Sequence, residues 1–337
     1  MTIAQRWILT ARPAGVPNDA HLALREAVLP EPQAGQIVLR NLFVSLDPAT
    51  RRRMDAGETY LPGIPLGGTP SSTVLGAVIA SRHDAYREGD LVVAMAGWES
   101  HSLVTVDGLT ALATPLGVPL SHHLSVLGIT GLTALFGLRD VGRPVAGETV
   151  SVSGAAGGVG GIVGQIARIL GCRTVGIVGS VAKQRLAEAE LGYDCAVVHA
   201  GRRARELADD LRGCCPQGID VVFENVGGAS LDAALLNLNM GGRVALCGLV
   251  AGYNGTGSDA CRELWRVVMR SARMEGFLVK SFLDRRAEGV ATLAAWLADG
   301  RLKAREHIVP GLESAVQAFA MLFDGRNDGK LMLQLAA

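Results

Sequence analysis

Between positions 154 and 160 the chain reads Gly154-Ala155-Ala156-Gly157-Gly158-Val159-Gly160, and no other stretch constrains its fold as tightly. The apolar run Thr149 to Ser153 before it has the pattern of a buried strand. After it, from Val159 onward, Ile162, Val163, Ile166, Ala167 and Leu170 recur at helical spacing. The turn satisfies A-x-G-x-x-G through Ala155, Gly157 and Gly160. Alone, such a pattern is only a glycine-rich turn. Between a strand and an amphipathic helix it implies that the backbone passes within contact of a pyrophosphate, held by the N–H groups and positive dipole end of the helix. The 43 glycines of the 337 residues are clustered: ten lie between Gly147 and Gly179, and six between Gly241 and Gly257.

The end of the next strand, Thr174 to Val178, selects the cofactor. An Asp or Glu there would bond the adenine ribose and reject a 2′-phosphate. The chain has Gly179-Ser180 instead, followed by Lys183, one of four lysines. A lysine in a first helical turn is often only a solvated residue, yet Ser180 and Lys183 can together hold a phosphate. NADP(H) is therefore expected over NAD(H).

Up to about residue 120 the pattern is β-rich, with short apolar runs at Ile37 to Leu46, Thr73 to Ala80, Asp90 to Ala96 and Ser102 to Val106. This spacing suggests a compact barrel-like domain. Near Leu124 strands and helices begin to alternate. Cys195 to Val198, Ile219 to Phe223 and Val244 to Cys247 read as further strands, with helices from Ala182, Ala204, Ser230 and Asp284. Such alternation makes a doubly wound parallel sheet. Short β character resumes at Glu306 to Val309 and Leu331 to Leu335, so the tail is expected to rejoin the first domain.

Composition excludes several classes. With 32 basic and 32 acidic side chains the net charge is zero, without the basic excess of a nucleic-acid binder. Charged residues at 19% and hydrophobic ones at 49% exclude disorder. The most apolar region, Thr149 to Gly179, is interrupted by Gln165, Arg168 and Arg173, so no membrane span is expected. Neither is a signal peptide. All six cysteines follow Gly171, none in a C-x-x-C pair. Cys214 and Cys215 are adjacent and unsuited to bonding each other, which fits a reducing, cytoplasmic compartment. Residues 1 to 171 thus lack the cysteine ligands of a catalytic zinc; His101 and the pair His122-His123 are the candidates left, and adjacent histidines on a loop are more often solvated than ligating. G-x-S-x-G is absent. Arg51-Arg52-Arg53 beside Asp47 and Asp55 reads as a solvated turn, and Trp98 as either a substrate-cleft wall or a core residue.

With these residues in hand, the sequence resembles the zinc-independent medium-chain dehydrogenases/reductases. It looks most like the branch holding prostaglandin reductases, leukotriene hydroxydehydrogenases, plant double-bond reductases and bacterial curcumin reductases. The matches run in order through Ser45-Leu46-Asp47-Pro48-Ala49-Thr50-Arg51, Gly128-Ile129-Thr130-Gly131-Leu132-Thr133-Ala134, the glycine loop with Gly164-Gln165-Ile166-Ala167, and Phe223-Glu224-Asn225-Val226-Gly227-Gly228. They continue through Cys247-Gly248, Tyr253-Asn254, Arg273-Met274-Glu275-Gly276-Phe277 and Asn327-Asp328-Gly329-Lys330.

The resemblance implies an α/β chain with a GroES-like β-rich catalytic domain (1–124 and 302–337) and a Rossmann NADP(H)-binding domain (125–301). It implies a cofactor held by Gly157, Gly158, Val159 and Gly160 at the pyrophosphate and by Lys183, with Ser180, at the 2′-phosphate. Asn225, Cys247, Gly248, Leu249, Tyr253, Phe277, Leu278, Val279 and Asn327 would line the remainder. His199 stands where many members carry a tyrosine near the 2′-phosphate, and Ala49 where many carry one at the substrate mouth. The implied activity is NADPH-dependent reduction of the carbon–carbon double bond of α,β-unsaturated ketones and aldehydes. Hydride would go to the β-carbon, with Tyr253 supporting the carbonyl oxygen or the nicotinamide ribose. A homodimer and a small-molecule partner are also implied. Two other readings stand beside it: an NADPH:quinone oxidoreductase, and a non-catalytic NADP(H)-binding redox sensor.

Overall fold

A computed structural model describes residues 2–112, 117–255 and 260–335. Gly257, the last glycine of the second cluster, lies outside them. Strands β1 (Thr2–Leu9) and β2 (Leu22–Leu29) pair antiparallel, Thr2 opposite Leu29. There follow β3 (Gln36–Ser45), the short helix α1 (Ala49–Arg53), β4 (Ser71–Ser81), β5 (Leu91–Gly97), β6 (His101–Thr105) and β7 (Thr110–Ala111).

Next comes an alternating series: α2 (Ile129–Phe136), β8 (Thr149–Ser153), α3 (Gly158–Ile169), β9 (Arg173–Val178), α4 (Val181–Glu190), β10 (Cys195–Val198), α5 (Ala204–Cys214), β11 (Ile219–Glu224), α6 (Gly228–Leu236), β12 (Leu238–Leu246), α7 (Trp265–Met269), β13 (Arg273–Gly276) and α8 (Arg286–Ala298). The chain closes with β14 (Glu306–Pro310), α9 (Ala315–Asp324) and β15 (Lys330–Gln334).

Two units result. The first holds residues 1–124, 307–326 and 331–337, and the second 125–306 and 327–330. The chain leaves the second unit at Glu306, later than the expected 301. Two tethers explain this: the Gln165 side chain bonds both main-chain groups of Lys303, and the Ser125 hydroxyl bonds the Glu306 carboxylate.

In the first unit the sheet runs β14-β15-β3-β4-β5-β7, with β6 also on β3, and the pairings of β3, β4 and β5 with their neighbours are antiparallel. Its core gathers Leu9, Leu22, Val44, Leu46, Val74, Trp98, Val316 and Phe319. Trp98 is a core residue: fully buried, it meets Phe319 edge to face at 5.0 Å and donates its indole N–H to Ser72.

The solvated-turn reading of Arg51-Arg52-Arg53 is corrected. Only Arg52 is exposed. Arg51 is buried and donates to the carbonyls of Pro13 and Gly15 and to Asp55, while Arg53 donates to the carbonyls of Pro62 and Ser71 and to the Ser71 hydroxyl. Loop carbonyls lack ladder partners, and a five-donor guanidinium supplies them.

In the second unit the six strands order as β10-β9-β8-β11-β12-β13, and the five pairings along that order are parallel. Every residue of β8 is buried, as a central strand covered on both faces requires. The order in which strands are added reverses between β8 and β11, the topological switch point where ligands of such folds bind. Cys195 and Cys214 form a disulfide joining the start of β10 to the end of α5, a pairing their spacing did not single out. Cys172, Cys215, Cys247 and Cys261 are free thiols. Among the described residues no helix is long and apolar enough to cross a membrane.

Candidate functional site

The glycine loop opens at the carboxyl end of β8. Gly154 has φ +63°, a left-handed conformation that favours glycine, and Gly157 is the extended N-cap of α3. A Cβ on Gly160 would lie 2.3 Å from the Gly154 carbonyl oxygen, so the turn closes only with glycine there. The first-turn N–H groups of α3 have no carbonyl partner within the helix, which leaves them for an anion. Residues 327–330 lie along the same turn: Gly329 bridges to Gly157, its N–H reaches the Ala156 carbonyl, and the buried Asn327 side chain donates to the Gly329 carbonyl. Gly157, Gly158, Val159, Gly160 and Asn327 thus come together.

A second group forms at the end of β9. Ser180 caps α4, its hydroxyl accepting the Lys183 N–H at 3.3 Å. His199 follows β10, its N–H bonded to the Val178 carbonyl, and its Nε2 lies 3.6 Å from where a Gly179 Cβ would stand. Burial and then the Lys183 charge push the His199 imidazole below its ordinary pKa. Ser180, Lys183 and His199 therefore share one corner that carries positive charge and lacks an acid at the strand end.

The third group surrounds the switch point. Asn225, just after β11, donates its side-chain N–H to the Ser153 carbonyl at 2.7 Å and its backbone N–H to the Ser153 hydroxyl. Cys247 and Gly248 donate to the Glu224 carbonyl, Val250 to that of Asn225 and Ala251 to that of Val226. These bonds lay the 247–251 loop along the 224–226 turn. Leu249 enters a short 3-10 turn, Val250–Gly252, that Tyr253 ends. The Tyr253 hydroxyl lies 3.5 Å from the place of a Gly248 Cβ, which sets it over the loop rather than in the core. Burial, with the Glu224 carboxyl adding, pushes the Cys247 thiol up to about 12, so it stays protonated and is no nucleophile at neutral pH.

Phe277, Leu278 and Val279 follow the carboxyl end of β13, half-buried. The Phe277 ring turns back onto Phe223, centroids 6.0 Å apart, and fills the space a side chain at Gly137 would need. It is therefore placed to support the site from beneath rather than to face it.

Three participants carried no role in the sequence reading. Tyr193, fully buried, donates its hydroxyl to the Gly160 carbonyl. Glu224 is fully buried at the end of β11. Lys330 is buried with its Cδ 3.2 Å from the missing Cβ of Gly158. An acid ending an apolar strand and a lysine following Asn327-Asp328-Gly329 were the available signals.

Among the described residues no three His, Cys, Asp or Glu side chains converge as metal ligands. Residues 5–112 match a family model described as the N-terminal domain of oxidoreductase, and residues 158–297 one described as zinc-binding dehydrogenase. The chain is 38% identical over 338 residues to the NADPH-dependent curcumin reductase of Escherichia coli strain K12, covering 98% of this chain and 97% of that one. The chain belongs to the zinc-independent medium-chain dehydrogenase/reductase family. Another member, the NADP(+)-dependent 2-alkenal reductase of Nicotiana tabacum, is 35% identical over 96% of this chain and 94% of its own. The crystal structure of CurA in complex with NADPH from Vibrio vulnificus superposes with a TM-score of 0.92 at 34% identity, covering 99% of both chains. The antiparallel unit and the parallel Rossmann unit are this family's two domains.

Proposed function

We propose that this member reduces the carbon–carbon double bond of α,β-unsaturated ketones and aldehydes with NADPH. The observation that carries the reading is the convergence, at the carboxyl ends of β8, β9 and β11, of a glycine cradle, a basic corner and the Tyr253 loop. The relatives named curcumin reductase and 2-alkenal reductase support it from outside.

The residues present fit the cofactor. The loop packs Gly160 against the Gly154 carbonyl too closely for any Cβ, and the first-turn N–H groups of α3 beside it have no partner within the helix. On this reading Gly157 to Gly160 hold the pyrophosphate, and Ser180, Lys183 and His199 the 2′-phosphate. Asn225, Cys247 to Leu249, Tyr253, Leu278, Val279 and Asn327 border the nicotinamide end, with Phe277 beneath. When bound, the reduced cofactor supplies the hydride that adds to the substrate β-carbon, and a proton then adds to the α-carbon of the resulting enolate to give the saturated product. Tyr253 hydrogen-bonds the carbonyl oxygen as negative charge collects there, or fixes the ribose hydroxyl beside it; either way the phenol works as a donor. The protein's task is otherwise positional, holding the reactants at near-attack distance.

The first unit takes the substrate and the second the cofactor. We also read the protein as a cytoplasmic homodimer. β13 is an edge strand, and beside it Trp265 (68% exposed), Val268, Met269 and Met240 present apolar side chains, with Gly241 bonded to the Arg270 carbonyl between them. In a reducing cytoplasm Cys195 and Cys214 would exist as thiols.

The test is NADPH oxidation against a panel of enones, enals and quinones, with the products identified. Saturated ketones and aldehydes are expected. Turnover confined to quinones, or tight NADPH binding without turnover, contradicts the proposal.

A further inference from the structure

Glu224 is fully buried, and its carboxyl and backbone carbonyl both bond groups at the switch point. One oxygen, Oε1, accepts three donors: the Ser153 hydroxyl at 2.6 Å and the backbone N–H groups of Val226 and Gly227, both at 2.7 Å. The other, Oε2, is buried without a hydrogen-bond partner. The Glu224 carbonyl meanwhile accepts the N–H groups of Cys247 and Gly248. The same Ser153 hydroxyl that donates to the carboxyl accepts the Asn225 N–H.

The two faces of this residue do different things. The backbone carbonyl ties β11 to the loop that leads to Tyr253. The Oε1 atom ties the 225–227 turn to the last residue of β8, immediately before the glycine loop. Gly227 sits at φ +83°, a conformation that favours glycine. A buried carboxyl with an unpartnered oxygen is costly in a core, and here three directed hydrogen bonds to one atom offset that cost.

We propose that Glu224 is a positioning residue for the cofactor: through Oε1 it locks the 225–227 turn to the end of β8, so that Asn225 and the pyrophosphate turn keep one geometry. This rests on the NADPH reading above. It makes Oε1 the working atom and the charge dispensable, because Oε2 accepts no hydrogen bond. Glu224→Gln keeps an oxygen at Oε1 and replaces the unpartnered Oε2 with an amide nitrogen. Glu224→Ala leaves the Ser153 hydroxyl and two buried N–H groups without their acceptor. Ser153→Ala is the milder probe, removing only the hydroxyl that links the carboxyl to Asn225.

The experiment titrates NADPH into wild type and the three variants by fluorescence, with circular dichroism and thermal melting on each, and then measures enone kinetics. Glu224→Gln is expected to bind NADPH within about threefold of wild type. Glu224→Ala is expected to bind about tenfold or more weakly, and Ser153→Ala several-fold more weakly. In these two the loss should fall on the dissociation constant and KM for NADPH, with kcat at saturating cofactor nearly kept. If Glu224→Ala does not fold, Ser153→Ala decides alone. Wild-type affinity in every folded variant overturns the inference, as does equal loss in Glu224→Gln and Glu224→Ala, which would make the charge the working feature. Failure of the wild type itself to bind NADPH overturns the functional reading instead.

Discussion

The hydroxyl of Tyr193 donates to the carbonyl of Gly160 at 2.6 Å, while its ring lies against Gly164 one turn further along α3. This side chain thus ties the first turn of α3, the proposed anion site, to the loop that precedes β10. Tyr193→Phe keeps the ring and removes the bond, and should cost about 1 kcal/mol in unfolding free energy. Gly164→Ala would put a Cβ 2.4 Å from the ring and should be far more damaging. Denaturant melts of both variants check the order; equal stabilities would contradict it.

Two neighbouring glycines in α3 should behave oppositely. A Cβ on Gly160 meets the Gly154 carbonyl oxygen at 2.3 Å, whereas one on Gly161 meets the Leu191 side chain at an ordinary 3.4 Å. Gly160→Ala should abolish measurable NADPH binding. Gly161→Ala should retain it and stabilise the helix by up to about 1 kcal/mol, the usual gain over glycine in a helix interior. Calorimetric titration and melting of each variant provide the check.

How much of this was legible beforehand depended on how local each requirement is. The glycine loop could be read because its constraint is a tight turn between a strand and a helix, all within about a dozen residues. Buried strands such as β8 and β10 were read to their ends. Val244 to Cys247 was placed correctly but too short, since β12 begins at Leu238. β1 and β2 are interrupted by Gln5, Arg6, Arg25 and Glu26, and β13 is an edge strand with no buried residue, so none shows an apolar run. α9 was passed over although Ala315, Val316, Ala318 and Phe319 make its buried face and Gly325 closes it at φ +76°. Tyr193 and Glu224 were missed for another reason: their partners Gly160 and Ser153 are 33 and 71 positions away. Only the parallel sheet brings them together.

Cofactor choice should depend on pH through His199. In the free protein burial and Lys183 hold its imidazole below the ordinary value, so it is neutral near pH 7. A 2′-phosphate beside it would restore the proton. NADPH affinity should therefore rise as pH falls from about 8 to about 6, while NADH affinity stays flat. The phosphate itself titrates near pH 6, and His199→Gln serves as the control that subtracts it. The same slope in that variant would remove His199 from the phosphate site.

Stability should carry a pH signature from Glu224. Burial raises the pKa of its carboxyl, against the pull of the Gly227, Ser153 and Val226 hydrogen bonds. The folded state therefore keeps the proton longer than the unfolded chain does. That contribution is full below the unfolded value of about 4.3 and declines as pH rises through the window up to the folded value. Glu224→Gln has no proton to lose, so its melting temperature should gain on wild type as pH rises. A constant difference would mean that Glu224 does not titrate abnormally.

Tyr253→Phe should keep NADPH binding and lower enone turnover at saturating cofactor about tenfold or more, the scale of losing one donor to a developing oxyanion. Unchanged turnover would return Tyr253 to a packing role.

The central claim is hydride delivery to the β-carbon of an enone, and isotope transfer tests it most directly. NADPH carrying deuterium at the transferring position of the nicotinamide should yield a saturated ketone labelled at its β-carbon. Deuterium on the carbonyl carbon of an allylic alcohol, or cofactor oxidation that leaves the enone unreduced, would contradict the account.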